Sequence, residues 1–319
     1  MSNQRDQFLA TVDANVPLCR EHYRLVLRTD RFPATEPGQF IQISCRDPRE
    51  QQVELQVEWD PQNARLRSEH LRELAAPLAL LRRPFSLAGR RDAAPGVELD
   101  IIHRVVGVGT DWMSRLKVGD PVDILGPLGN RFELPPQGGL AILVGGGVGI
   151  PPMLYLAAAL NGRQAIAFSG AVSRDLLPLT IIAQPQPGAA EPSMSIEEFA
   201  RRGIPSVVST DDGSFGFRGF VTQALEQWLD AHGRPEPTII YTCGPEPMMK
   251  RVAHIAAARG IECQVAVERA MACGMGTCQS CCIRVRKPDP AKPPLVGSDW
   301  CWRLACTDGP VFRGADLLW

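Results

Sequence analysis

Cys273, Cys278 and Cys281 follow one another in a C-x4-C-x2-C pattern, and a further thiol, Cys306, lies beyond a proline-rich stretch. This is the spacing at which three thiolates reach one [2Fe–2S] cluster. Such a cluster exchanges one electron at a time, so the pattern points to electron transfer. Three thiolates meet at one small cluster only if the backbone curls tightly, and Gly274, Gly276, Thr277 and Ser280 suit that curl. The N–H groups of such a loop can also point at sulfur and stabilise the anionic centre. Free thiols and a zinc site are the competing readings. Zinc favours paired C-x2-C units, of which the chain has one. Of the downstream thiols, Cys301 sits between Trp300 and Trp302 and reads as packing. Cys282 adjoins a ligand and, on an extended segment, points the opposite way. Cys306, in the turn-rich run Ala305-Cys306-Thr307-Asp308-Gly309-Pro310, is the expected fourth ligand.

Three other phrases carry chemistry. Gly145-Gly146-Gly147-Val148-Gly149-Ile150-Pro151-Pro152 follows an apolar strand and opens a helix, where glycines let the backbone approach a pyrophosphate. Packing of the turn is the other reading. Cys243-Gly244-Pro245 ends a second buried strand, the edge at which open α/β sheets bind ligands; Pro247 also suits the first turn of a helix. In the first part of the chain Arg83-Pro84-Phe85-Ser86 joins cation, aromatic ring and hydroxyl on one extended segment. Arg83 can clamp a phosphate and Ser86 can hydrogen-bond the edge of a flavin ring; a solvated arginine pair beside an ordinary strand is the alternative. Gly107-Val108-Gly109-Thr110 offers N–H groups to a phosphate, or simply turns the chain before a short helix.

The elements that must position these residues fall into three compartments. Residues 1–137 read as short strands separated by turns, among them Leu18–Leu27, Gln39–Ser44, Val97–Val105 and Pro121–Leu125, which predicts a small antiparallel barrel. Within it, Arg46–Leu81 is charged and leucine-rich and reads as an insertion with some helix. Residues 138–259 alternate strand and helix, which predicts a parallel α/β sheet. Residues 260–319 form a cysteine-rich tail domain.

Thirty-four basic and thirty-five acidic residues give a net charge of −1, which offers no case for nucleic acid or a membrane surface. The uncharged run from Gly138 to Leu160 is long enough for a membrane span, but its glycines and Pro151-Pro152 fit a strand, loop and helix better. Residues 1–15 lack the apolar core of a signal peptide. Ten cysteines without such a signal fit the reducing cytoplasm. The five histidines are scattered and read as structural, and no catalytic dyad or nucleophile stands out.

Taken in order, these phrases resemble the electron-transfer subunits of NAD-linked dihydroorotate dehydrogenase, within the ferredoxin-reductase superfamily. The likeness runs from about Asn15 to Leu317, outside the insertion. It rests on Arg83–Ser86, Gly145–Pro152, Thr210-Asp211-Asp212-Gly213-Ser214, Cys243–Pro245, Glu268–Cys278 and Cys306–Val311. The resemblance implies an FAD-binding barrel, a pyridine-nucleotide domain and a C-terminal [2Fe–2S] domain. By position, Arg83, Pro84, Phe85 and Ser86 would meet FAD, and Gly109 and Thr110 its phosphates. Gly146, Gly147, Gly149, Cys243 and Gly244 would line the NAD site, and Cys273, Cys278, Cys281 and Cys306 would hold the cluster. A nicotinamide exchanges two electrons as hydride and the cluster exchanges one, so a flavin, which does both, must stand between them. The implied partner is an FMN-containing catalytic subunit that oxidises dihydroorotate, in a heterotetramer. A reductase for ferredoxin, hydrogenase, sulfide dehydrogenase or an oxygenase shares this plan. A flavin or iron–sulfur redox sensor and a zinc-stabilised module are readings of other classes. Ser173-Arg174 leaves NADP open, since a cation there could meet a 2′-phosphate.

Overall fold

The computed structural model describes residues 5–49, 58–60, 62, 65–67, 79, 81–186, 188–233, 237–286 and 299–319. Its first part contains β1 (Asp6–Cys19), β2 (His22–Thr29), β3 (Phe40–Ile43), β4 (Glu58–Asp60), β5 (Arg65–Arg67), β6 (Arg83–Ser86), β7 (Gly89–Asp92), β8 (Val97–Arg104), helix α1 (Val108–Ser114) and β9 (Pro121–Leu128). Seven of these strands form one sheet in the order β6-β3-β9-β1-β2-β8-β7, antiparallel throughout. Alternate residues turn inward, so Leu25, Leu27, Ile41, Ile43, Leu99, Ile101 and Ile124 fill the core. Among the described residues no ladder joins β6 to β7, and the expected barrel is therefore a half-barrel.

The single strand expected over Leu18–Leu27 is two strands. The chain reverses at Arg20-Glu21, where Glu21 takes a left-handed φ of 64°; no glycine or proline marks that turn, so the pattern hid it. Inside Arg46–Leu81 the short pair β4–β5 is antiparallel. The helix expected in this insertion lies outside the described residues.

The second part contains β10 (Leu140–Gly146), α2 (Ile150–Ala159), β11 (Ala165–Ala171), α3 (Glu197–Ala200), β12 (Ser206–Thr210), β13 (Phe217–Arg218), α4 (Val221–His232), β14 (Thr238–Cys243), α5 (Glu246–Ala258) and β15 (Glu262–Ala266). β10 is buried along its whole length, as a central strand covered on both faces must be. Ile142 and Val144 pack with residues of α4 and α5, while Ala141 and Leu143 pack with α2. The result is a doubly wound sheet in the order β13-β12-β11-β10-β14-β15-β18. Its direction of winding reverses between β10 and β14, so the crevice beyond their C-terminal ends is the expected ligand edge.

The last three strands come from the tail. β16 (Cys282–Arg286) and β17 (Trp300–Leu304) form a hairpin, and β18 (Val311–Arg313) pairs antiparallel with β15. The α/β sheet thus continues beyond Arg259, and residues 267–310 leave it after β15 and re-enter at β18.

Side chains tie the three parts together. The Tyr155 hydroxyl on α2 donates to the Thr35 carbonyl at 2.8 Å, and the Tyr241 hydroxyl on β14 donates to the Glu133 carbonyl at 2.8 Å. Asn130, just past β9, accepts from the Val311 N–H at 2.9 Å and donates to the Asp308 and Val311 carbonyls at 3.0 and 2.8 Å.

Candidate functional site

The structure gathers the four expected cluster thiols at one end of the tail. The loop turns at Gly274, Gly276 and Gln279, all at positive φ. Cys273 Sγ accepts the N–H groups of Met275 and Cys278, each at 3.4 Å. Ser280 Oγ lies 3.2 Å from Cys278 Sγ and accepts the Ala272 N–H at 3.3 Å. Hydrogen bonds from Ser280, and then from the Cys273 side, pull the exposed Cys278 thiol down to about 6, toward the thiolate that metals need. Cys281 and Cys306 are both buried. Burial first, and then Cys281, push the Cys306 thiol up to about 12, with the Gly276 N–H opposing. Cys273 also acts on Cys306, which links the loop thiols to the one beyond the hairpin. No three metal-binding side chains among the described residues meet at coordination spacing. Cys282 is exposed and Cys301 is half-buried.

The turn that carries Cys306 is built by Asp308. Its carboxylate accepts the Leu304 N–H at 2.7 Å and its own N–H donates to the Leu304 carbonyl at 2.8 Å. Asn130 holds the far end of this turn. Nothing in the sequence around Asn130 announces that role, because its partners lie far along the chain.

At the start of β6 the adjacent arginines 82 and 83 separate. Arg82 is paired with Asp123 at 2.5 Å. Among the described residues Arg83 donates only to the Leu81 carbonyl, at 3.0 Å, and faces no carboxylate. The Arg83 charge acts on Cys45, whose buried thiol burial raises to about 11. A Cβ on Gly109 would lie 3.2 Å from that sulfur. Arg83, Cys45 and Gly109 therefore converge at one end of the half-barrel, a free cation beside a helix start, which fits a phosphate group. The Thr110 hydroxyl is engaged locally, accepting the Val106 and Gly107 N–H groups at 2.9 and 3.2 Å.

Phe85 leads inward to His103 on β8, whose ring lies between Tyr23 (5.8 Å, stacked) and Phe85 (6.2 Å, edge-on). His103 is 1% exposed and both ring nitrogens lack partners among the described residues. Burial, aided by His22, lowers its pKa from 6.5 to about 4. The unfolded chain therefore takes up a proton first as pH falls. The contribution to stability is whole above about pH 6.5 and drains away toward pH 4, amounting to about 3 kcal/mol at most. Denaturant unfolding followed between these pH values should show this loss, and His103→Phe should flatten it. A variant with an equally steep acid limb would refute the assignment.

At the crevice of the α/β sheet, Gly145 and Cys243 are register partners on β10 and β14. A Cβ on Gly149 would sit 2.1 Å from the Cys243 carbonyl oxygen and 2.4 Å from the Gly244 nitrogen. The two ligand-edge turns thus touch backbone to backbone. Gly147, by contrast, faces open space. Burial, and then the Glu268 carboxylate, push the Cys243 thiol up to about 12, so it stands there as a neutral small group. Arg174 lies over the Phe215 ring at 5.5 Å, and its N–H donates to Ser214 Oγ at 2.8 Å. These contacts join the loop after β11 to the Thr210–Ser214 phrase.

Residues 268–318 match the family model described as the iron–sulfur cluster binding domain of dihydroorotate dehydrogenase B. In three dimensions the chain is similar to an NADH-dependent reduced ferredoxin-NADP oxidoreductase studied for flavin-based electron bifurcation (TM-score 0.67, 26% identity, 97% of this chain and 90% of that one). The dihydroorotate dehydrogenase B (NAD+) electron transfer subunit of Caldanaerobacter subterraneus subsp. tengcongensis is 33% identical over 238 residues, 75% of this chain and 81% of the relative. That of Fusobacterium nucleatum is 30% identical over 313 residues, 96% of each chain. The chain belongs to this family. Within the family of dihydroorotate dehydrogenase B electron transfer subunits, the matched iron–sulfur segment takes in all four expected thiols and the turn that Asp308 and Asn130 fix. The half-barrel and doubly wound sheet agree with the expected fold class.

Proposed function

We propose that this chain carries electrons between NAD and a partner flavoprotein that contains FMN and oxidises dihydroorotate, in pyrimidine biosynthesis. FAD would supply the conversion between hydride and single electrons, and a [2Fe–2S] cluster the single-electron link to the partner. The observation that carries this reading is the loop of Cys273, Cys278 and Cys281, which packs against the strand beside Arg83–Ser86 and is approached by Cys306 from the turn after β17.

The residues fit these groups. Four thiols and N–H groups already aimed at Cys273 suit an anionic cluster. The cation of Arg83, which faces no carboxylate among the described residues, would hold the FAD phosphates near Gly109, and Pro84, Phe85 and Ser86 would line the flavin site on the same strand. Thr110 shapes the loop that presents Gly109. Gly146, Gly147, Gly149, Cys243 and Gly244 form the NAD edge, with Gly147 at its open side. We take the domains as residues 1–137, 138–259 and 260–319 for FAD, NAD and cluster, the last two sharing the β15–β18 ladder. No described helix is long and apolar enough to cross a membrane. Ten free thiols support work in the reducing cytoplasm.

The test is direct. The purified full chain should contain FAD, iron and acid-labile sulfide, and should pass electrons from NADH to a one-electron acceptor. Dihydroorotate should reduce it only when the FMN subunit is added. A chain without flavin or iron ends this reading. A chain that co-purifies with ferredoxin, and takes no electrons from the FMN subunit, would favour a ferredoxin reductase, the function named for the solved structure above.

A further inference from the structure

Gln42 is a polar side chain with no exposure at all, on the strand next to Arg83–Ser86. Residues directly opposite in an antiparallel pair share a face. Phe40 therefore stands with Ser86 and Gln42 with Pro84, away from Ile41 and Ile43 in the half-barrel core. That face meets the cluster loop. Gln42 Nε2 donates to the Ala272 carbonyl at 3.5 Å, next to Cys273. The rest of its amide lies flat on Gly274, where a Cβ would be 2.6 Å from Oε1 and 2.7 Å from Cδ. Oε1 itself is buried without a partner among the described residues. An unmatched buried amide is costly, and an apolar residue of that size would fill the space without the cost.

We infer that Gln42 is the positioning residue that seats the cluster loop on the flavin strand and so sets the rate of electron transfer between flavin and cluster. This rests on the cofactor reading above. The path it defines is short: Ser86 and Pro84 on β6, Gln42 beside them on β3, then Ala272 and Cys273. Tunnelling through protein falls steeply with added distance, so a loop that lifts by an ångström slows the step. Gly274 belongs to the same device, because at φ +69° with the amide on its Cα no other residue fits.

The experiment uses the full holo chain with NADH as reductant. NADH delivers a hydride to the flavin, and one electron then moves on to take one ferric iron of the cluster to ferrous while the other stays on the flavin. Flavin bleaching is read by stopped flow and the reduced cluster by freeze-quench paramagnetic resonance, in wild type, Gln42→Leu and Gln42→Glu. Hydrogen exchange of residues 270–281 reports the seating of the loop. We expect flavin bleaching at the wild-type rate and cluster reduction slowed by roughly tenfold or more, given how sharply rates respond to misplacement of about 1 Å. Exchange in the loop should rise in step, and Gln42→Asn should restore part of the rate. Variants that hold full iron and reduce the cluster at the wild-type rate overturn the proposal. So does loss of iron from both variants with FAD retained, which would make Gln42 purely structural. Failure of the cofactor reading is separate, because it shows in the wild-type chain as missing flavin or iron.

Discussion

Cys306→Ser is expected to empty the chain of its iron–sulfur cluster while leaving FAD bound and reducible by NADH. Cys306 is buried against Cys281 beneath the Asp308 turn, so a serine there removes the inner ligand and leaves a buried hydroxyl beside it. Transfer to the FMN subunit should fall by more than the roughly hundredfold that changes in a metal's outer shell produce. Because metal binding is linked to folding, the tail should also lose protection from protease. Iron and sulfide assays, the resonance signal of the reduced chain and limited proteolysis read these effects together. Cys282→Ser and Cys301→Ser are the controls, since one thiol is exposed and the other lies across from Val285 on the hairpin. A Cys306→Ser chain with full cluster content would remove this residue from the ligand set and reopen the choice of fourth ligand.

Gly149→Ala is the second large effect, and it acts at the other end of the relay. The added methyl would overlap the Cys243 carbonyl and the Gly244 nitrogen. Both obstacles are backbone, so no rotamer change relieves them. Overpacking of this kind costs up to about 3 kcal/mol, and it forces apart the turns at the ends of β10 and β14. NADH oxidation should collapse while the cluster still assembles. Titration of the oxidised chain with NAD+, followed by flavin absorbance, should show binding weakened by roughly a hundredfold, which is what about 3 kcal/mol implies. Wild-type affinity in this variant would mean that the nucleotide lies elsewhere.

Much of the fold was legible because burial writes itself into local pattern. The apolar strand expected before the Gly145–Pro152 phrase and the helix expected after it are β10 and α2, and the buried strand expected to end at Cys243 is β14. The thiol spacing gave the cluster loop before any coordinate did. What stayed hidden depends on contacts distant in the chain or on turns without a signature residue. Glu21 reverses the chain in a conformation its side chain gives no hint of. β15 and β18 are short strands that belong to the α/β sheet only because β15 pairs with β14 and β18 with β15. At the site, the adjacent arginines 82 and 83 look alike in sequence. Only the position of Asp123 shows that the first is spent on an ion pair, while the second, among the described residues, faces no carboxylate. Asn130 and Gln42 escaped notice for the same reason, since each acts on a segment far along the chain.

The re-entry of the chain at β18 has a practical corollary. The electron-carrying segment is not a bead on a string but a long excursion between two neighbouring rungs of one sheet, with its exit stitched at Ala266 and its return at Val311. Cutting the polypeptide once, after β15, would leave that sheet with a bare edge. Grafting this module onto another reductase calls for two junctions spaced as closely as adjacent strands, and any host that lacks such an edge will not accept it.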